Sequence, residues 1–344
     1  MELYTKYMYN GMYIEEQIQF VLNEDGRRLS MISKLKKIAI TIGILVLPAI
    51  INYLISKNSE KKYASKTTER IFKWKFGNIR YIVSGRGKPL LLIHGIGIGA
   101  GMHEWEKNIS ELSEKYKIYA IDLLGFGRSD KPAISYSPYI YIKLINDFIT
   151  EVIGEKTHVA ASSHGAAYTI AAYNFEPDNF EKMLLASPVG AGRSKNLPVD
   201  SDKWLQFLLE LPYAGTTVYN AMASKINLRW YLDEYLYASD KNFNKSTIEK
   251  YYESAHYGGI TAKYPISAYK SRFLNIDTER LFAEIDIPVH IVWGDKNVLN
   301  PPENAVIFSE INENAAFTIF KNTKALPHAE NYKDFNKICK KFFD

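Results

Sequence analysis

The sequence predicts an α/β fold, in which short buried strands alternate with helices. Runs of strand length occur at 89–93, 158–161, 182–187, 288–293 and 316–320, and stretches at helical spacing lie between them. A glycine-rich turn, 94–101, leaves the first of these runs. At the end of the second, Ser163 has Ala161 two residues before it and Gly165 two residues after it. That is the small-x-Ser-x-small pattern of a nucleophile elbow.

The small residues have a physical reason. A sharp strand-to-helix turn holds its serine in a strained backbone conformation. Side chains two positions either side must shrink, or strand and helix collide. A serine so placed stands at a helix N-terminus, where the dipole favours a developing oxyanion. A plain serine-rich turn carries the same residues, so the pattern alone does not decide.

Bulk composition bounds the rest. The chain has 344 residues, 47% hydrophobic and 24% charged, which is the composition of a globular protein. The net charge of +5 is mild, and no basic stripe interleaved with aromatics argues for nucleic acid. One cysteine, Cys339, excludes an intrachain disulfide and suggests no cysteine-based metal site. No metal or cofactor is expected.

In chain order, residues 1–37 read as a polar, tyrosine-rich tail that turns basic, and Met31 opens MISKLKK like a second start. Residues 38–56 contain the longest apolar run, IAITIGILVLPAIINYLI. As a helix it would span about 27 Å, close to a bilayer core. A buried helix and a cleaved signal peptide are rival readings, although no A-x-A site follows. The expectation is an uncleaved single-pass membrane anchor. A slight excess of Lys and Arg on its N-terminal side places the main domain on the extracytoplasmic side. Residues 57–69 form a charged linker.

Stretches 71–76 and 79–84 then alternate as a hairpin, with Gly77-Asn78 as its turn. After strand 89–93 and the glycines comes a helix near 104–115. Gly95, Gly97 and Ala100 also satisfy G-x-G-x-x-A, and Asp122 falls where a ribose-binding acid would. A dinucleotide site therefore stays open. Against it, His94 precedes the glycines and Asp122 belongs to the motif DLLGFGRSD. Residues 139–153 have helical spacing, as do 332–343. Asn300, Pro301 and Glu303 read as N-cap, N1 and N3 of a helix. Residues 196–278 break the alternation with a Tyr-, Trp- and Leu-rich helical stretch.

HGIGIGAGMHEW at 94–105, YAIDLLGFGRSDKP at 119–132, the elbow, and VHIVWGDKN at 289–297 occur in this order. Together they resemble the α/β-hydrolase superfamily over about 70–344. They are most similar to its cap-bearing serine hydrolases, the esterase-like and C–C-bond-hydrolase-like group. The resemblance implies an eight-stranded, mostly parallel sheet with helices on both faces, built from 70–195 and 279–344. It implies a helical cap from 196–278, oxyanion N–H groups on Ile96 and His164, and Ser163 as nucleophile.

The same resemblance exposes a deficit. The acid of the triad lies three residues after the glycine of the W-G motif, and Asn297 stands there. Asn accepts a hydrogen bond from imidazole but cannot stabilise imidazolium by charge. Around the histidine the pattern is N-x-G-H-x-P-H-x-E, and the chain reads NTKALPHAE from Asn322. Without a gap, Ala325 takes the catalytic histidine position and Lys324 that of the glycine. His328 then matches a second, non-catalytic histidine. Two functions follow. The chain is a hydrolase-fold protein with little ordinary serine-hydrolase activity that binds a small acyl-type ligand or a protein partner. Alternatively, it is an active ester hydrolase whose rewired triad uses Ser163 with His328.

Overall fold

The structure, a computed structural model, describes residues 30–37, 48, 50–55, 57 and 69–344. The chain divides into two units, 1–51 and 52–344. In the first, residues 30–37 are helical and exposed.

In the second unit, β1 (Arg70–Trp74) and β2 (Gly77–Ser84) form the hairpin. Trp74 pairs with Gly77, so the turn is Lys75-Phe76 rather than Gly77-Asn78. Asn78 is held in the strand because its N–H donates to Asp130 Oδ2 at 2.8 Å. β3 (Pro89–Ile93) leads through a 3₁₀ turn, Met102–Trp105, into α1 (Glu106–Leu112). β4 (Lys117–Ile121), α2 (Pro138–Phe148), β5 (Thr157–Ser162), α3 (Ser163–Phe175) and β6 (Phe180–Ala186) continue the alternation. A helical insertion follows: α4 (Asp200–Glu210), α5 (Ala214–Met222), α6 (Lys225–Tyr231), α7 (Lys245–His256) and α8 (Lys263–Lys270). The chain closes with α9 (Glu279–Ala283), β7 (Val289–Gly294), α10 (Glu303–Ile311), β8 (Ala316–Phe320), α11 (Pro327–Glu330) and α12 (Tyr332–Phe343).

The eight strands form one sheet in the order β1-β2-β4-β3-β5-β6-β7-β8. β2 runs antiparallel to β1 and β4, and every other pair is parallel. Parallel strands are covered on both faces, which is why β3 is a continuous apolar run and every residue of β5 is buried. Leu91 and Ile93 enter one core layer, and Leu90 and Leu92 the other. The second layer is sealed by α12, whose Phe335, Cys339 and Phe343 recur every fourth residue along one buried stripe.

Two further expectations need correction. Asn300 does not cap α10. Its side-chain N–H groups donate to the carbonyls of Ser187 and Pro188, and the helix begins at Glu303. The membrane anchor at 38–56, and with it the extracytoplasmic placement of the main domain, is overturned. Among the described residues, no helix is long and apolar enough to cross a membrane. Near the C-terminal end of that run, Asn52 is buried against α5. It donates to Thr217 Oγ1 at 3.1 Å and accepts from Asn220 Nδ2 at 2.7 Å. This polar residue is thus spent on protein contacts rather than turned to lipid. Residues 38–47, 49 and 56 lie outside the described residues, as do 1–29 of the tail and 58–68 of the linker.

Candidate active site

Ser163 follows β5 directly and opens α3 with its backbone at φ 50°. This left-handed conformation is unfavourable for a residue with a side chain. The elbow is pressed closely by the glycine-rich loop. A Cβ at Gly165 would stand 2.4 Å from the His94 carbonyl oxygen, and one at Gly95 would stand 3.0 Å from Ser163 Cβ. Only hydrogen fits at Gly165.

His94 locks that loop. Its Nδ1–H donates to the Gly95 carbonyl at 2.6 Å, and its Nε2 accepts from the Leu123 N–H at 3.0 Å. One nitrogen must accept, so the ring is neutral, and burial pushes its pKa down accordingly. Asp122 accepts from the N–H groups of Met102 at 2.7 Å and Arg128 at 2.8 Å, one on each carboxylate oxygen. It staples two loops together and is not offered to a ribose, which removes the dinucleotide reading.

A cavity of about 100 Å³ lies at the end of β5. Ile96, Ser163, His164, Asn297 and Ala325 line it from the sheet side. Tyr231, Tyr251 and Tyr269 line it from the helical insertion. A wider cleft of about 630 Å³, between Glu69, His103, Arg128 and Lys250, does not include Ser163. The smaller cavity is the candidate site because it contains the nucleophile position and the amides that would face an oxyanion.

The residues at the expected triad positions lie in distinct settings. Ala325 presents a methyl group to the cavity. Asn297 is buried, and its Oδ1 accepts from the Asn300 N–H at 3.0 Å, so its acceptor oxygen holds its own turn. His328 is fully buried and does not line the cavity. Its ring stacks on Trp105 with centroids 3.9 Å apart, and neither ring nitrogen has a hydrogen-bond partner. Burial pushes its pKa down to about 3.

The imidazole that reaches Ser163 is that of His164. Its Nδ1 lies 3.4 Å from Ser163 Oγ, and its Nε2 lies 3.2 Å from Asn275 Oδ1. Asn275 Nδ2 donates to the Asn196 carbonyl at 2.7 Å, which orients the amide. Its oxygen must then accept from His164 Nε2–H, leaving the lone pair on Nδ1 toward the serine hydroxyl. Burial pushes this histidine down to about 4.

Two residues of the site are given no role by the sequence, although Glu104 lies within the 94–105 motif. Asn275 comes from the helical insertion, and no spacing connects it to Ser163. Glu104 lines the cavity; its Oε1 accepts from the Tyr251 hydroxyl at 2.9 Å and its Oε2 has no partner. Burial pushes this carboxyl up to about 8, with the Tyr251 hydroxyl and the nearby Gly95 N–H opposing in smaller measure.

A family model described as the alpha/beta hydrolase fold matches residues 88–332. The chain belongs to the α/β-hydrolase fold family. Among its relatives is 2-hydroxy-6-oxo-6-(2'-aminophenyl)hexa-2,4-dienoic acid hydrolase of Metapseudomonas resinovorans. The two are 24% identical over 265 residues, covering 75% of this chain and 83% of the relative. Lipase 3 of a Moraxella species is 25% identical over 263 residues, covering 75% of this chain and 78% of the lipase. A solved serine hydrolase involved in carbazole degradation superposes with a TM-score of 0.68 at 20% identity, over 80% of this chain and 98% of that one. At that identity the superposition speaks to the fold alone. In this α/β-hydrolase, Ser163 stands on a left-handed turn between β5 and α3 with His164 and Asn275 beside it.

Proposed function

We propose that this α/β-hydrolase binds a small acyl-type ligand at Ser163 and turns it over far more slowly than an ordinary serine hydrolase. The observation that carries this reading is the methyl group of Ala325 in the cavity wall, at the position the family resemblance gives to the general base. Without a base, nothing takes the serine proton as the hydroxyl attacks. Losing that base costs a serine protease of another fold about six orders of magnitude in turnover, and the oxyanion hole and binding leave roughly 10³–10⁴ over water.

The line from Ser163 through His164 to Asn275 favours a second contribution. A neutral His164 accepts a hydrogen bond at pH 7, but a base with a pKa of about 4 takes a proton reluctantly. It supports residual rather than ordinary turnover. The rewired arrangement with His328 is disfavoured, because that ring is sandwiched away from the cavity.

Fluorophosphonate labelling of the purified protein tests this. Ser163 should label slowly, His164→Ala should slow it further, and His328→Ala should leave it unchanged in the folded protein. Labelling at the rate of an ordinary serine esterase would overturn the proposal, and its loss in folded His328→Ala would establish the rewired triad.

A further inference from the structure

We infer, on the reading that this cavity binds ligand, that its ligand carries a small ammonium group for which Glu104 is the counter-ion. The cavity wall contains one carboxyl group and three tyrosines, and no lysine or arginine among the described residues lines it. Glu104 is 6% exposed. A carboxyl this deeply buried ordinarily has a cationic or fully hydrogen-bonded setting. Here Tyr251 satisfies Oε1, while Oε2 makes no well-formed hydrogen bond, the Gly95 N–H lying near the carboxyl without closing one. Burial pushes the carboxyl up to about 8, so on its own it keeps its proton at pH 7; a cation from outside the chain would displace that proton and pair with the carboxylate.

The remaining walls suit a cation and discourage an anion. His164 is held neutral by burial, so it supplies no positive charge of its own. Tyr231, Tyr251 and Tyr269 bring aromatic rings, whose quadrupoles attract cations within about 6 Å of a ring centroid. A carboxylate ligand would find no cation in the wall to pair with. Size narrows the class further. Pockets for drug-sized ligands run to roughly 300–1,000 Å³, whereas this one has about 100 Å³. That room suits a trimethylammonium-sized head rather than a long chain.

The test uses the full chain and two probes of matched shape, tetramethylammonium and tert-butanol, titrated at constant ionic strength by ligand-observed NMR. Tetramethylammonium should bind at least tenfold more tightly than tert-butanol. Glu104→Gln keeps the volume and a partner for Tyr251 but cannot ionise, and it should weaken the ammonium tenfold or more without changing the alcohol. Equal binding of the two probes, binding of neither, or an ammonium affinity untouched by Glu104→Gln would each overturn the inference. If that variant fails to melt cooperatively, the comparison of the two probes on the wild-type chain decides. Slow labelling of Ser163 is scored separately, so the proposed function can stand where the ammonium inference falls.

Discussion

At φ 50°, Ser163 holds a conformation that costs on the order of 1–3 kcal/mol. The surrounding packing tolerates this because Gly165 lets the His94 loop lie directly on the elbow. His328 shows the opposite case, a polar side chain with no polar work. Its ring serves as a flat surface against Trp105, and both nitrogens are unpaired. Replacing a buried, unpaired polar group by an apolar one of similar shape is near neutral or stabilising. His328→Leu should therefore change stability by no more than about 1 kcal/mol at pH 7, in the stabilising direction. The pH dependence has a definite sign. The folded pKa of about 3 lies below the unfolded value near 6.5. The unfolded chain binds the extra proton between these values, so this contribution is present above pH 6.5 and is lost as pH falls toward 3. Circular-dichroism melts at pH 7 and pH 4 should show a smaller acid loss in His328→Leu than in the wild type. His164 and His103, also pushed down by burial, preserve the remainder of the slope.

At the scale of elements, the loop that carries Ala325 is tied to the helical insertion. Glu330 at the end of α11 accepts from the Ala238 N–H at 2.8 Å and from Asn242 Nδ2 at 2.7 Å through one oxygen. Through the other it accepts from the Lys324 N–H at 3.0 Å. Lys324, in the place where the family resemblance expects glycine, donates from Nζ to the Asp233 carbonyl at 2.6 Å. These bonds hold the insertion down beside the site. Glu330→Ala leaves two backbone N–H groups without their acceptor and should cost about 2–3 kcal/mol. Amide hydrogen exchange should accelerate most around residues 237–243, while β3 and β5 stay protected. Uniform acceleration across the sheet would mean that Glu330 supports the core rather than the insertion.

At the scale of the molecule, the sheet, elbow and glycine loop enclose a cavity in which His164, pushed down to about 4 by burial, is the imidazole beside Ser163. If only proton-transfer groups are missing, restoring them should restore chemistry. Ala325→His with Asn297→Asp should give Ser163-dependent p-nitrophenyl ester hydrolysis above the parent, and Ala325→His alone should give part of it. An Asp at 297 can still accept from the Asn300 N–H, so the turn should survive. The gain should be at least tenfold, limited by the tie between Lys324 and Asp233 that restricts how the new imidazole settles. A folded double variant with no Ser163-dependent rate would show that residue 325 is not within reach of the nucleophile.

The sequence by itself determined the alternation of strands and helices, the elbow at Ser163 and the family. These depend on local properties: continuous apolar runs where both faces of a strand are covered, and small side chains where two backbones meet. β8 and α12 begin and end at the residues their patterns predict, 316–320 and 332–343. The hairpin turn and the start of α10 do not, because cross-strand register and tertiary hydrogen bonds outweigh turn and cap preferences. The polar wiring of the site was decided only by tertiary structure. Asn275 reaches His164 across 111 positions and Tyr251 reaches Glu104 across 147, distances over which no sequence period acts. Burial, which only the folded chain creates, keeps His164 neutral, leaves Glu104 protonated at pH 7 and turns His328 into a packing surface.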